Sequence, residues 1–366
     1  MKDTNKREKR FSIRTRLLFL AFVLMTFVVN AQMSVFPKSI GIRAGYGFII
    51  PHSSNIEPLI KGHISSFEIN YRYNFSGVKE WEKTYRYPYS GIALHYINFN
   101  NDDAGSAISI LPYFAFPIKK NKILDAHFRV ATGLAYITKK FDLLENRKNQ
   151  MTGSSINAGV DLMLQANWKI DRKIHFLTGI SLTHYSNGAF TLPNTGINVV
   201  SINSGLTLNI GDPVAVNHNK FPILRRTLKW LAWGGFWLKE VGQVNGAKYT
   251  AATFSVNALK RFSMKGSYGG GVDFMYDRSM IKRDPKLNTP IRAGVLFAYE
   301  IHIGKMSIPL QQGFYVFDPF KKDLFFYQRI GWRYHFKQNF IAQFTLKSHL
   351  FSADYAELGI GYTFKQ

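Results

Sequence analysis

The sequence contains no cysteine, few acidic residues and only one long hydrophobic run. Without cysteine, disulfides, thiolate metal sites and a cysteine nucleophile are excluded. The mean hydropathy of −0.12 is too low for a bundle of membrane helices, each of which needs about 20 apolar residues. However, 46% of the 366 residues are hydrophobic and 15% are aromatic, which argues against a disordered chain. The remaining classes are a soluble all-β or mixed protein and a membrane β-barrel.

The N-terminus combines a basic segment with the one long hydrophobic run. Residues 1–16 hold seven basic and two acidic residues, the apolar run spans 17–29, and a small-residue cleavage pattern ends at Ala31. This order predicts a secretory signal peptide over residues 1–31. A retained membrane anchor is the alternative. A lipoprotein anchor is excluded because no cysteine follows the run.

Basic residues exceed acidic residues throughout the chain, 47 to 23, and the predicted mature part keeps 40 basic and 21 acidic residues. For an exported protein this excess favours an anionic membrane surface or glycolipid as partner over nucleic acid.

The chain after residue 31 alternates apolar residues with polar residues or glycine, the pattern of strands in a sheet with two different faces. About sixteen segments show this pattern, and many of them have aromatic residues at their ends, as transmembrane strands do. The predicted spans are 38–50, 63–76, 89–100, 104–117, 122–138, 151–169, 173–186, 197–210, 228–241, 247–262, 266–278, 291–304, 305–316, 324–335, 339–350 and 355–366.

The connections between these segments differ in length in a regular way. If the first strand starts in the periplasm, the short connections fall on the periplasmic side and the long ones fall outside, as in outer-membrane barrels. Two long connections, 77–88 and 211–227, break this rule because both fall on the periplasmic side. The short connections are 119–121, 170–172 and 304–305, and the long outer ones are 51–62, 139–150, 187–196 and 279–290.

These patterns predict an all-β fold, a transmembrane antiparallel β-barrel of the outer membrane with roughly sixteen strands, over residues 32–366. Eight strands remain possible, because the 211–227 connection could divide two smaller barrels. One barrel is favoured because no flexible Gly/Ser-rich linker is present. A periplasmic β-sandwich is the alternative architecture, and the strand lengths and aromatic content weigh against it.

The stretch from Thr183 to Asn198 carries the one constellation with a chemical meaning; the sequence has no G-x-S-x-G elbow, P-loop or H-E-x-x-H motif. The alternation places His184, Ser186 and Asn198 on the apolar, lipid-facing side of two neighbouring strands, near the outer rim. Polar side chains are costly there without partners. An imidazole beside a hydroxyl is the base and nucleophile pair of acyl transfer, and residues i and i+2 share one face of a strand.

The residues His184-Tyr185-Ser186-Asn187 and Pro193-Asn194-x-Gly196 resemble the motif of the outer-membrane lipid A 3-O-deacylases, the PagL-like acyl hydrolases. That family is an eight-stranded barrel that removes an ester-linked acyl chain from lipopolysaccharide. The close match covers about sixteen residues, and residues 38–210 form the deacylase-like region. The second half of the chain resembles longer acyloxyacyl-hydrolase-type barrels at 346–349 and 353–359.

By this resemblance Ser186 is the nucleophile, His184 is the base, and Asn194 helps to form the oxyanion hole, with Asn187 and Gly196 in the same motif. The family's third triad member is a glutamate, and its place falls on Asn198. An amide can orient the histidine but cannot stabilise the imidazolium, so slow or altered catalysis is expected. The resemblance implies lipid A as substrate, an outer-membrane location, and neither a metal nor a cofactor.

Two other functions remain open. One is a non-catalytic outer-membrane barrel, a porin or a structural protein, since a barrel of about sixteen strands can enclose an aqueous channel. The other is a lipid-binding or transport barrel that uses Lys347, His349 and Glu357, which the alternation places on the lumenal face of adjacent strands. These three residues are also explained by the polar lining that any such barrel requires.

Overall fold

The computed structural model describes residues 34–219, 224, 226–350 and 352–365, and these residues form two closed antiparallel barrels of eight strands each. The predicted signal peptide lies outside the described residues. A short strand β1 (Ser34–Val35) precedes the first barrel. The strands of the first barrel are β2 (Lys38–Ile49), β3 (Ile64–Asn74), β4 (Tyr89–Asn98), β5 (Ser106–Lys120), β6 (Leu124–Ile137), β7 (Ile156–Lys169), β8 (Ile174–Ser186) and β9 (Ile197–Ile210).

The second barrel follows a connection that contains another two-residue strand, β10 (Val214–Ala215). In both barrels consecutive strands pair in order and the last strand pairs with the first. The strands of the second barrel are β11 (Leu228–Glu240), β12 (Lys248–Arg261), β13 (Gly266–Asp277), β14 (Ile291–Ile303), β15 (Met306–Phe317), β16 (Phe326–His335), β17 (Phe340–His349) and β18 (Ser352–Lys365).

The prediction of sixteen long antiparallel strands is confirmed, but the preference for one barrel is wrong. The boundaries agree to within a few residues, and the largest difference lies before β7, where 151–155 is loop. The start of β2 pairs with the end of β9, with Lys38 opposite Ile210, so the eighth strand returns to the first strand of its own barrel. The 211–227 connection therefore does divide the chain into two barrels. A wide channel inside one sixteen-stranded barrel is excluded.

Each barrel is apolar outside and polar inside, the reverse of a soluble protein. Ile202 is 70% exposed and Ile360 is 75% exposed on the outer faces, whereas charged side chains are buried in the interiors. Inside the first barrel the carboxylate of Glu68 accepts hydrogen bonds from Arg43 and Arg129, at 2.6–2.9 Å. An eight-stranded barrel is only wide enough to be filled by its own side chains. These ion pairs, and not a channel, occupy the interior.

The helical segments of the described residues are short. They are a 3-10 turn (Glu57–Leu59), α1 (Glu80–Thr84) and α2 (Ser279–Arg283). Among the described residues, no helix combines the length and the apolar character that crossing a membrane would require.

The two long connections on the short-loop side join the barrels to each other. In the first, α1 is followed by Tyr85, whose hydroxyl donates a hydrogen bond to the backbone oxygen of His302 in the second barrel, at 2.8 Å. Burial raises the pKa of Tyr85 to about 12, so this donor stays protonated. In the second connection, β10 pairs with β1. The first departure from the loop-length rule therefore reflects contact between the barrels, and the second is the linker that joins them.

Candidate active site

His184 and Asn198 lie directly opposite each other in the β8–β9 pair, and their side chains meet on the outer face of the first barrel. His184 Nδ1 lies 2.6 Å from Asn198 Oδ1. Both residues are partly buried, although the outward positions nearer the middle of β8 are exposed. An amide oxygen can only accept a hydrogen bond, so this contact holds the proton on Nδ1. Nε2 is then the unprotonated nitrogen and is able to act as a base.

Ser186 follows two residues later on the same outer face of β8, next to Ala158 of β7. Its hydroxyl has no hydrogen-bond partner within the part of the chain that the structure describes. His184 and Ser186 are therefore neighbours on one strand face, without a direct hydrogen bond between them. Nucleophile–base contacts of this kind are often loose until substrate is bound.

The loop 187–196 folds back on itself through its two asparagines. The backbone N–H of Asn187 donates to Asn194 Oδ1 at 3.0 Å, and Asn187 Nδ2 donates to Thr191 O at 2.8 Å and to Ser154 Oγ at 3.0 Å. Because the oxygen of Asn194 is engaged by the backbone, its NH₂ group is the part left to donate outward. This orientation suits Asn194 as a donor to a developing oxyanion.

Gly196 brings the end of this loop against the imidazole of His184. Its φ is +84°, in the region that favours glycine. A Cβ atom at this position would lie 3.0 Å from Cε1 of His184. The position therefore requires glycine both for its backbone conformation and for its close approach to the ring.

His52 is a further member of the site that the sequence did not identify. Asn198 Nδ2 lies 3.2 Å from His52 Nδ1, and His52 Nε2 lies 3.0 Å from the backbone oxygen of Thr195. If Nε2 donates to Thr195, Nδ1 of a neutral His52 accepts from the amide nitrogen of Asn198. The amide oxygen must then face His184. Ile50 O lies 3.0 Å from the same Nδ1 and competes for it when this nitrogen carries a proton.

His52 lies more than 100 residues from the motif in the chain, in the β2–β3 connection. A histidine in a rim loop carries no periodicity or spacing signal, so only the fold brings it to Asn198.

The acidic side chain of Asp161 does not reach the site. Asp161 is fully buried inside the first barrel, where it contacts Arg43 at 3.3 Å and accepts a hydrogen bond from Thr183 at 2.9 Å. The alternation of β7 gives the same inward position, because Val160 and Leu162 on either side of Asp161 lie outward. Asn198 remains the residue that contacts Nδ1 of His184.

Lys347, His349 and Glu357 point into the second barrel, as their alternation predicts. Lys347 Nζ lies 2.6 Å from Asp354 Oδ2, and Glu357 lies 2.6 Å from Arg329. The hydroxyl of Tyr315 contacts both Lys347 and His349, at 2.7 and 3.0 Å. These residues are joined in the polar network that fills the barrel.

One group of described side chains could hold a metal ion: Glu300, His302 and His335, whose ligand atoms lie within 4.8 Å of one another. They line a cavity of about 270 Å³ at the short-loop end of the second barrel. The guanidinium of Arg333, 2.7 Å from Glu300 Oε2, already neutralises the carboxylate. The imidazoles already contact two hydroxyl groups, those of Ser267 and Ser307. We therefore assign this cluster to the polar lining of the barrel.

Family models match both halves of the chain. Residues 65–207 match the model described as lipid A 3-O-deacylase (PagL), and residues 228–366 match the C-terminal domain of acyloxyacyl hydrolase. The first match lies within β3–β9 and the second begins at β11, so each falls on one barrel. A comparison with curated proteins finds no match.

A comparison with solved structures finds matches to other barrels. Neisserial surface protein A is 10% identical over 49% of this chain and 99% of its own, with a TM-score of 0.34. The outer membrane enzyme PagL is 16% identical over 46% of this chain and 99% of its own, with a TM-score of 0.33. A mutant porin of Rhodopseudomonas blastica is 9% identical over 91% of this chain and 100% of its own, with a TM-score of 0.19.

Proposed function

The chain belongs to the lipid A 3-O-deacylase family, and on that premise we propose that it is an outer-membrane hydrolase that removes an ester-linked acyl chain from lipid A. The observation that carries the proposal is the contact between His184 and Asn198, with Ser186 beside them on the lipid-facing side of the barrel. A base held in one tautomer next to a hydroxyl is the arrangement that acyl transfer requires.

In this mechanism Ser186 Oγ attacks the ester carbonyl while His184 Nε2 takes the hydroxyl proton. Asn194, with backbone amides, donates to the oxyanion of the tetrahedral intermediate. His184 then gives the proton to the departing sugar oxygen, which leaves an acyl group on Ser186. Water, deprotonated by His184, hydrolyses this ester and releases the fatty acid.

Asn198 replaces the glutamate of the family and performs one of its two tasks. Its oxygen holds the proton on Nδ1 of His184, and its nitrogen is fixed by His52. An amide carries no charge to stabilise the imidazolium that forms during attack. We therefore expect a working but slower hydrolase.

The surroundings of the site suit an amphiphilic substrate that stays in the membrane. The outward residues Leu182 and Ile202 are exposed on β8 and β9, so an acyl chain can approach along the barrel wall. Lys139, Arg147 and Lys148 are exposed in the β6–β7 connection, together with Lys140. These cations are placed to meet the phosphates of lipid A at the outer surface.

The test is mass spectrometry of lipid A from cells that express the wild type, Ser186→Ala or Ser348→Ala. Ser348 is a matched control because it also lies outward at the end of the seventh strand, but in the second barrel. We expect loss of one acyl chain with the wild type and with Ser348→Ala, and intact lipid A with Ser186→Ala. Intact lipid A in all three, with each protein folded in the outer membrane, contradicts the proposal.

A further inference from the structure

The outer end of the second barrel contacts the loop 187–196, which carries the proposed oxyanion donor Asn194. Glu240, the last residue of β11, is 2% exposed. Its Oε2 accepts the backbone N–H of Leu192 at 2.9 Å, and its own N–H donates to the backbone oxygen of Ala189 at 3.0 Å. The second barrel thus satisfies backbone groups on both sides of the loop's tip.

Glu240 is a buried carboxylate without a cation partner among the described residues. Its other oxygen accepts the N–H of Gly246, so backbone donors alone compensate for its charge. Burial of a carboxylate is costly unless such hydrogen bonds are formed. If Leu192 moved away, the buried carboxylate of Glu240 would lose one of its hydrogen-bond donors. This cost opposes movement of the loop.

Lys248, the first residue of β12, holds the same loop from a second direction. Its ammonium group donates to the backbone oxygen of Phe190 and lies 3.1 Å from Thr191 Oγ1. It also lies 4.0 Å from the centre of the Phe190 ring, within the range of a cation–π contact. Glu240 and Lys248 together therefore contact four consecutive residues, 189–192.

Apolar packing completes the contact. The Phe190 ring lies 5.9 Å from the ring of Trp237 on β11. Gly188 lies against β18, where a Cβ atom would be 3.1 Å from the Cβ of Ala356. The loop is thus seated on the second barrel only two residues after Ser186.

We infer that the second barrel is part of the hydrolase site, with Glu240 as a positioning residue that holds the oxyanion loop in place. This inference rests on the proposed function. The link within the loop is short, because Thr191 O accepts from Asn187 Nδ2 and Leu192 is two residues from Asn194. Glu240 touches neither Ser186 nor His184 and acts through the loop.

The predicted effect is on the transition state. A displaced oxyanion donor weakens binding of the developing charge, and a misplacement of about 1 Å can cost roughly 100-fold in rate. We expect Glu240→Ala to lower kcat by about 10- to 100-fold with little change in KM. Glu240→Gln keeps one acceptor oxygen and should rescue part of the loss. Gln243→Ala, at an exposed residue of the same β11–β12 connection, should match the wild type.

The experiment combines kinetics on purified lipid A in mixed micelles with hydrogen–deuterium exchange of the full-length protein. Faster exchange at the Thr191 and Leu192 amides in Glu240→Ala, together with the fall in kcat, supports the inference. Unchanged exchange, or faster exchange with unchanged kcat, overturns it. If the wild type is inactive on lipid A, the proposed function fails, and exchange in Glu240→Ala still decides whether Glu240 holds the loop. If Glu240→Ala does not fold, the same criteria apply to Glu240→Gln.

Discussion

The two barrels have the same number of strands, yet the polar residues at the outer end of the seventh strand face opposite sides. In β8, His184 and Ser186 face outward, whereas in β17 Lys347 and His349 face inward. The inward pair is bound in a network with Asp354 and Tyr315. A shift of one residue in alternation therefore separates a side chain that can meet a lipid ester from one that fills a barrel.

The largest effect that sharpens this comparison comes from the two histidines. His184→Ala removes the proposed base and should lower ester hydrolysis by about 10²- to 10⁴-fold. His349→Ala removes an imidazole at the same level of the second barrel and should leave the rate within about twofold of the wild type, since the ring is outside the site. Initial rates on purified lipid A measure both. Equal losses in the two variants would show that the comparison is wrong.

The next effect concerns stability and compares the two interiors. Glu68 is the carboxylate that pairs with Arg129, whereas Arg329 is paired with Asp273 as well as Glu357. Breaking a buried ion pair costs about 3–5 kcal/mol because a charge is left uncompensated. Glu68→Gln should therefore destabilise its barrel more than Glu357→Gln destabilises the other. Urea unfolding in detergent micelles measures the difference, with the exposed residue Glu57 changed to Gln as control. An equal loss of stability in the two variants, or a larger loss for Glu357→Gln, would contradict this comparison of the two interiors.

A smaller effect, in the opposite direction, is expected at Asn198. Asn198→Glu returns the charge that the family uses, and a charge-assisted hydrogen bond exceeds a neutral one by about 1–1.5 kcal/mol. This corresponds to a rise of roughly tenfold in kcat. Asn198→Ala should lower kcat, because the tautomer of His184 is no longer held. A kcat that falls with Glu as it does with Ala would mean that the amide is needed for its own geometry.

The smallest effect is expected at His52, which contacts Asn198 and not His184 itself. His52→Ala removes one neutral hydrogen bond to Asn198, worth about 1 kcal/mol, and should lower kcat about fivefold. His63→Ala is the control, because His63 lies in the same connection and, among the described residues, forms a hydrogen bond only with the backbone oxygen of Gly47. A loss as large as that of His184→Ala would give His52 a direct part in the chemistry.

Alternation predicted the strands and the facing of side chains, but not the closure of the barrels. Each strand shows its two faces locally, so the outward positions of Ser186 and Asn198 and the inward position of Asp161 follow from the sequence. Whether the eighth strand returns to the first depends on pairing over about 170 residues, for which alternation carries no signal. The linker with Pro213 and Pro222 was the one local clue to two barrels.

The contacts of the loop 187–196 were missed for a related reason. Glu240 looks like an ordinary rim residue in the sequence, and so does His52. Glu240 reaches this loop because the two barrels lie side by side, and His52 reaches Asn198 because two loops meet at the rim. The spacing of residues in the sequence predicts neither contact. The strand predicted over 151–169 included residues 151–155, but in the fold these residues form a loop beside the site, with Met151 O accepting the N–H of Gly196.

The closure of each barrel on itself also bears on how the chain folds. Ser39 and Asn209, which are hydrogen-bonded across the seam of the first barrel, are 170 residues apart, about half of the chain. A single sixteen-stranded ring would have to join its two ends across nearly the whole sequence. Rates of folding fall as contacts become more distant in sequence, so two smaller rings shorten the slowest search. The first ring can seal its edges before the second is complete, which limits the time that unpaired strand edges are exposed to aggregation.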